Sequence, residues 1–394
     1  MKQLVKWAAY ISLLVAFVVG QLSHFHSDEV RLKELSKGRD LERIGITDEL
    51  YAIKESDTLK RYLCIGQAQG YGGPLRVAVL ADSVGTIRQV DLLQHVETFS
   101  FIEKLKRNNY FRQYTGKTLV DTFTIHQDVN AVSGATISSK AIANATREAS
   151  YLTAEKALGK VAPVIPTQWQ MAGKELLVMA IFIIGFLATF LRNKVLRNVA
   201  LFLSFIGIGF LFNASLTLAH FGRLLLGYVP DIQDHLVWWI LMGGSLLTIV
   251  IWGKNVYCHA FCPFHATQML LNKISGINLK MAFKVLRIIR KVPGFLLWFS
   301  LSLILISSNP TIAAYEPFAM LFSLEGYGVQ WYILPAALVA SLFISDFFCH
   351  YLCPVGATFK WIQKHRRRLI ALVNKSQNEQ NQNEQEKNKE RKAA

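Results

Sequence analysis

Two short cysteine motifs hold the residues of this chain best suited to chemistry. Cys258-His259-Ala260-Phe261-Cys262-Pro263 returns as Cys349-His350-Tyr351-Leu352-Cys353-Pro354. An Ala-Thr pair follows each at the same offset, Ala266-Thr267 and Ala357-Thr358. The chain has five cysteines, and all but Cys64 lie in these motifs. A thiolate is both a nucleophile and a metal ligand, so scarce cysteines in matched pairs point to a ligand set rather than to core filling. Cysteines at i and i+4 are predicted to share one helical face. Four thiolates suffice for one iron–sulfur cluster or one Zn²⁺ site, with two separate sites or unmetallated redox thiols as alternatives. His259 and His350 could assist as donors or ligands, or could face lipid headgroups. Cys64, inside an apolar strand pattern, reads as a small buried hydrophobe.

A second constellation lies in Asp128-Val129-Asn130-Ala131-Val132-Ser133-Gly134-Ala135-Thr136-Ile137-Ser138-Ser139. Gly134 and Ala135 leave Thr136 uncrowded on a loop that opens onto a helix, whose N-terminus favours a phosphate. The plainer reading is a helix cap formed by Ser133 or Ser138. A third place is Gly70-Tyr71-Gly72-Gly73-Pro74 together with His95-Val96-Glu97-Thr98. Glycines let a backbone approach a flat ligand closely, and His95 and Glu97 would lie on one side of an extended segment. A tight hairpin with two surface polar residues would produce the same pattern.

The elements that must position these residues are of two kinds. Hydrophobic residues make up 52% of the 394 and the mean hydropathy is +0.28, which points to membrane spans. Six apolar stretches approach the ~20 residues that a bilayer core requires: roughly Trp7–Val19, Leu176–Leu191, Val199–Ala219, Leu236–Trp252, Val292–Ser308 and Gln330–Phe348. The first reads as a signal anchor, with a cleaved signal peptide as the other reading. Basic residues cluster at Arg192–Arg197, Lys254–Lys291 and Lys360–Arg368, whereas the loops after the third and fifth stretches are nearly free of them. The positive-inside rule then puts both termini and both cysteine motifs on the cytoplasmic side. The net charge of +16 is thereby assigned to topology and anionic lipid rather than to nucleic acid, for which no basic soluble module is evident. His220 and His235 flank the outer loop after the third stretch, as interfacial residues or as haem ligands.

Between the first two stretches the chain is less apolar. A charged segment from His24 to Lys54 spaces Val30, Leu32 and Leu35 as a helix would. Strand patterns follow at Tyr62–Ile65, Leu75–Leu80 and Ile87–Leu93, then a helix near Ser100–Asn108, a strand near Thr122–Ile125 and an Ala-rich helix over Ser138–Ala157. The expected organisation is an anchor (1–24), an extracytoplasmic α+β domain (25–168), a five-helix membrane domain (169–373) and a disordered cytoplasmic tail (374–394).

Gly-Tyr-Gly-Gly-Pro, His-x-Glu-Thr and Asp-x-x-x-x-Ser-Gly-Ala-Thr-x-Ser-Ser together resemble the FMN-binding domain shared by RnfG, NqrC and NosR-type proteins. That resemblance implies FMN joined through its phosphate to Thr136 by a flavin transferase. It places Asp128, Ser133, Gly134, Ala135, Tyr71, Gly72, Gly73, His95, Glu97 and Thr98 around the flavin. The remainder, with its paired C-x-x-x-C-P motifs and Tyr315-Glu316-Pro317-Phe318, is similar to the membrane part of NosR/NirI-type proteins. It is closest in form to the short six-span members, without the ferredoxin-like extension of the long ones. The family likeness implies a multi-pass protein of the bacterial cytoplasmic membrane, an electron-transfer flavoprotein rather than a self-contained enzyme. Electrons would pass between a cytoplasmic or quinone-side donor and an extracytoplasmic redox partner, through FMN and a centre held by Cys258, Cys262, Cys349 and Cys353. The hydrocarbon between the two sites calls for a relay such as a quinone or a haem. The alternative is a membrane redox sensor, regulator or maturation factor for a periplasmic metalloenzyme. Solute transport is weaker, because the spans hold almost no charged residues.

Overall fold

In the computed structural model the strand and helix patterns of the loop-rich region fold as an antiparallel meander backed by one long helix. The structure describes all residues except 1, 24–33, 37–38, 46–48, 55–59, 166–172, 234, 280–281, 283–285, 288, 314, 327 and 394. The chain divides into two units. The first is Met1–Met171 with Thr217–His235 and Trp298–Pro335; the second is Ala172–Leu216 with Leu236–Leu297 and Ala336–Ala394.

In the first unit, α1 (Lys2–Ser23) precedes a sheet of strands β1 (Leu41–Arg43), β2 (Leu50–Lys54), β3 (Lys60–Gln69), β4 (Pro74–Asp82) and β5 (Ile87–His95). Their spatial order is their chain order, and every pair is antiparallel. Alternation along β3 sends Cys64 into the larger core cluster and Leu63 and Ile65 into the smaller one, so neither apolar set is left in water. Cys64 is fully buried, as its surroundings in the sequence imply. After α2 (Phe99–Arg107) comes the long helix α3 (Thr136–Leu158). Its buried face is Ala141, Ile142, Ala145 and Ala149, small enough to bring the helix down onto the sheet. The approach is close: a Cβ on Gly66 of β3 would sit 2.0 Å from the carbonyl oxygen of Ala145. Also in this unit, Trp298 Nε1 donates to Ser12 Oγ at 3.0 Å, which ties α1 to the segment after Leu297.

The second unit is helical. Helices α4 (Gly173–Leu191) and α5 (Lys194–Ser204) form a hairpin, α5 running on as a π turn to Leu211. Asn193 begins α5 by accepting the N–H groups of Val195 and Leu196 on its side-chain oxygen, at 2.9 and 3.2 Å. Among the described residues, two helical segments, Gly173–Leu191 and Lys194–Leu211, are long and apolar enough to cross a membrane. Trp7–Leu22, Leu236–Trp252, Val292–Ser307 and Gln330–Phe343 are shorter apolar helices at the other expected positions.

Four expectations change. The third apolar stretch stops at Leu211 instead of reaching Ala219, because Asn213 turns left-handed (φ 45°) and helix α6 (Leu218–Leu225) starts anew. The helix expected over His24–Lys54 lies partly outside the described residues, and its end from Leu41 is strand. No strand forms at Thr122–Ile125 beyond an isolated bridge from Ile125 to Val129. The Asp128 carboxylate there accepts the N–H groups of Phe123 and Thr124, which a strand ladder would have needed. The last helix, of Glu-, Gln- and Lys-rich sequence with good helix propensity, continues through the expected tail to Ala393.

Candidate functional site

The Ser-Gly-Ala-Thr loop ends where α3 begins, with Thr136 its first residue. Gly134 takes a left-handed conformation (φ 77°) that turns the chain into the helix. Of the two serines in the plainer reading, Ser138 is engaged elsewhere and Ser133 makes no cap. Ser138 Oγ donates to Glu97 Oε2 in a short hydrogen bond, Ser139 Oγ accepts the N–H of Val132 at 3.1 Å, and no side chain caps the N-terminal residue Ala135. Thr136 and Ser133 are exposed. Lys104 of α2 lies over the loop, its Nζ 2.8 Å from where a Cβ on Gly134 would stand, and pairs with Glu325 at 2.8 Å. An exposed hydroxyl on an uncapped helix start beside a lysine is a fitting place for a phosphate ester.

The glycine-rich turn between β3 and β4 meets this loop through Glu97. Glu97 Oε1 accepts the N–H of Gly72 at 2.9 Å while Oε2 holds Ser138, so one buried carboxylate ties the two motifs. Gly70 and Gly72 have no room for a side chain: a Cβ on either would come within 2.1 Å of Glu97 Oε1 or the carbonyl oxygen of Val96. Burial pushes the Glu97 carboxyl up, against the Ser138 and Gly72 hydrogen bonds and the Arg223 charge that pull it down. The Tyr71 ring packs edge-on against Phe101 and His220, with centroids 5.5 and 5.4 Å away. His95 ends β5 opposite Leu75, and Thr98 is the N-terminal cap of α2, making no side-chain capping bond. Asp128 serves the loop's own backbone, both of its oxygens accepting N–H groups.

Arg223 completes this neighbourhood and has no motif to announce it. It is 1% exposed, and it donates to the carbonyl oxygens of Gly70, Tyr71 and Tyr228 at 2.9, 2.8 and 2.8 Å and to Gln69 Oε1 at 3.0 Å. Burial lowers its guanidinium to about 10, with Glu97 and Tyr71 opposing. Its one sequence signal was being a lone basic residue in an otherwise nonbasic loop.

The second unit holds the four motif cysteines. Each pair departs from the single helical face expected of i and i+4. Cys258 sits in a π turn (Tyr257–Phe261) and Cys349 in a short helix (Phe347–Tyr351), but Cys262 and Cys353 fall outside these turns. The cause is Pro263 and Pro354, which disfavour helix in the residue before them and begin new helices, Pro263–Ser275 and Pro354–Ala393. The repeated Ala-Thr pair belongs to the same device. Ala266 and Ala357 N–H groups each bond the carbonyl of the second cysteine at 3.2 Å. Thr267 and Thr358 hydroxyls bond back to the carbonyls of Pro263 and Pro354, at 3.1 and 2.9 Å.

Donors point at the sulfurs. Gly356 N–H reaches Cys353 Sγ at 3.3 Å, and Gln268 Nε2 reaches Cys349 Sγ at 2.9 Å. Gln268 is fully buried, and its oxygen accepts Phe348 N–H at 2.9 Å and Ser341 Oγ at 3.2 Å. Burial lifts the Cys258 thiol to about 12, and charge on Cys262 adds to it. Cys349 is raised by burial and then by Cys262, Cys353 and Cys258, so the other three sulfurs lie within electrostatic reach of it. Among the described residues, no three His, Cys, Asp or Glu side chains are grouped closely enough to hold a metal ion. A cavity of about 1100 Å³ opens on Cys349 and Cys353, with Arg290, His350, Lys360 and Lys364 also in its lining. Thiols with N–H donors beside helix starts and cations suit an anionic cluster.

Comparison with known proteins finds two domain families in the chain. Residues 70–150 match the FMN-binding domain family, and residues 234–282 and 332–372 match the 4Fe-4S binding domain family, whose two segments contain all four motif cysteines. These domains define a redox flavoprotein that also carries an iron–sulfur domain. Over part of its length the chain resembles NosR/NirI-type proteins. It is 32% identical over 144 residues to the regulatory protein NosR of Pseudomonas aeruginosa, covering 32% of this chain and 20% of that protein. NosR of Stutzerimonas stutzeri is 28% identical over 146 residues (32% and 20%), and the protein NirI of Paracoccus denitrificans is 29% identical over 126 residues (30% and 18%). The chain thus matches about a fifth of the length of these relatives.

Proposed function

We propose that this protein carries electrons across a bacterial cytoplasmic membrane, between a donor on the cytoplasmic or quinone side and an extracytoplasmic redox partner. The observation that carries the reading is the pairing, in one chain, of an FMN-binding domain with a 4Fe-4S binding domain that contains a twice-written cysteine motif. On this reading FMN is esterified to Thr136 by a flavin transferase, with Ser133, Gly134 and Ala135 in the attachment loop and Lys104 as counter-ion. Tyr71, Gly72, Gly73, His95, Glu97 and Thr98 form the surrounding wall. Cys258, Cys262, Cys349 and Cys353 hold the iron–sulfur cluster. When bound, the flavin and the cluster supply the one-electron chemistry that no side chain here provides. Six apolar stretches and the basic loops between them support six spans, with both termini and the cysteines cytoplasmic and the flavin domain outside. A quinone or a haem would relay electrons between the two sites.

The test is purification from membranes after co-expression with a flavin transferase. Flavin fluorescence that survives denaturation and vanishes in Thr136→Ala supports the ester, and its absence from the parent protein ends the reading. A second reading rests on the name of the NosR relatives, which describes regulation. The protein would then sense redox state or support maturation of a periplasmic metalloenzyme. Reduction of an added extracytoplasmic acceptor by membrane vesicles separates the two, since a sensor need not turn over.

A further inference from the structure

Within the first unit, the Tyr-Glu-Pro-Phe segment places a carboxyl group where its chemistry is unfinished. Glu316 is 2% exposed. Its Oε1 accepts the N–H of Leu218 at 2.7 Å, at the start of α6, and its backbone carbonyl accepts Gln330 Nε2 at 3.2 Å. Its Oε2 is buried and has no hydrogen-bond partner among the described residues. A bare carboxylate oxygen away from water is costly, and the simplest group to complete it is a proton.

Among the described residues, the titratable groups tied to Glu316 through Tyr71 can be named. His220 and Arg223 come from α6, Tyr71 from the glycine-rich turn, and Glu97 from the segment after β5. The helix that follows Glu316 (Phe318–Ser323) contributes no titratable group. Tyr71 feels the charges of Glu97, Arg223 and Glu316 together, which ties Glu316 electrostatically to the turn. Arg223 is already committed to four acceptors. Burial and the Arg223 charge bring His220 down to about 3, so its ring stays neutral and leaves Glu316 no cationic partner there. Glu97 is the other buried carboxyl, but both of its oxygens are occupied, by Gly72 and Ser138. Of these two carboxyls it is Glu316 that has an oxygen to spare among the described residues.

We propose that Glu316 is a proton site that loads when the flavin of this domain is reduced and empties when the flavin is oxidised. The inference rests on the flavin reading above. An electron from the donor adds one negative charge to a buried region that already holds two carboxyl groups and one guanidinium. A proton from the outer water then bonds to Glu316 Oε2 and restores the charge. On oxidation the electron leaves to the extracytoplasmic acceptor and the O–H bond gives its proton back to water. The same burial raises this carboxyl to about 7, which poises it to exchange a proton near neutrality.

The experiment uses the full chain in lipid nanodiscs, as parent and as Glu316→Gln, whose amide oxygen can still accept Leu218. Flavin-free chain, carrying Thr136→Ala, is titrated across neutral pH by infrared spectroscopy of the carboxylic acid C=O band. Flavin-loaded chain is reduced with dithionite, and its midpoint potential is followed against pH. Glu316→Gln is expected to lose the titrating band and to flatten the dependence of the potential on pH, while Glu316→Asp restores both. A band that titrates unchanged in Glu316→Gln, or an unchanged pH dependence in the loaded variant, overturns the inference. A parent chain that never loads flavin overturns the flavin reading instead, and the infrared titration tells the two failures apart.

Discussion

Arg223 donates a hydrogen bond to the carbonyl oxygen of Tyr71 at 2.8 Å, from a position 152 residues further along the chain. The same guanidinium holds Gly70, Gln69 and Tyr228, so a glycine-rich turn that would otherwise be pliable is fixed by a single buried cation. Glu97 holds the opposite side of that turn and reaches α3 through Ser138.

Arg223→Ala should therefore cost more than any exposed arginine, because it leaves several buried acceptors without a donor and Glu97 without its counter-charge. The expected loss is about 3–5 kcal/mol. It is read as a fall in melting temperature of the detergent-solubilised protein, with reduced flavin loading. Arg223→Lys should recover only part, since an ammonium cannot span the four acceptors as a planar fork does. Equal melting of Arg223→Ala and parent would mean that the turn is held by its glycines alone.

Gly72→Ala tests the close approach from the other side. A Cβ there would stand 2.1 Å from the carbonyl oxygen of Val96, so the turn must move away from Glu97. Loss of covalent flavin with the sheet's circular dichroism intact is the expected result.

At the cysteine site, iron and acid-labile sulfide should fall together in Cys258→Ala and in Cys349→Ala if the four thiolates share one cluster. Unchanged metal in either variant would refute sharing. Gln268→Leu should leave the iron in place and shift the cluster's redox potential downward, because a donor to Cys349 Sγ is removed. It should also destabilise by about 1–3 kcal/mol, since Phe348 N–H loses its acceptor.

Glu316 also makes a stability prediction whose sign can be worked out. Its folded carboxyl lies at about 7 against 4.5 for the unfolded chain, so the folded state binds more protons between those values. Stability from this group is complete below 4.5 and is lost as pH rises through 7, by about 3 kcal/mol in total. His220 works in the opposite sense: its neutral ring, held at about 3 rather than 6.5, makes stability fall as pH drops below 6.5. The measurement is accordingly the difference in melting between parent and Glu316→Gln at pH 5 and pH 8. The parent should lose relative to the variant on going to the higher pH.

Much of the flavin domain was legible because its signals are local. Strand alternation located β3, β4 and β5, and the alanines of α3 announced a helix lying close on a sheet. The Thr136 loop could be found for the same reason, since a glycine, a small residue and a hydroxyl stand next to one another. Arg223 and Gln268 could not, because their partners lie far away in sequence and neither belongs to a repeating pattern. The i, i+4 spacing of the cysteines misled in a more instructive way. Helical geometry does not extend across Cys262 and Cys353, because the proline after each one ends the turn and begins a new helix. The strand expected at Thr122–Ile125 failed to Asp128, a side chain competing with the ladder for the same N–H groups.

Gln268 carries one more implication. A side-chain amide can usually rotate end for end, but here its oxygen is claimed by Phe348 and Ser341 and its nitrogen faces Cys349. The amide is a dipole soldered in one polarity, with its positive end toward the sulfur. Such a fixed bias acts like a small standing voltage that favours added electron density on that side of the site. Gln268→Glu, with the same shape and the polarity reversed, would turn the bias against it.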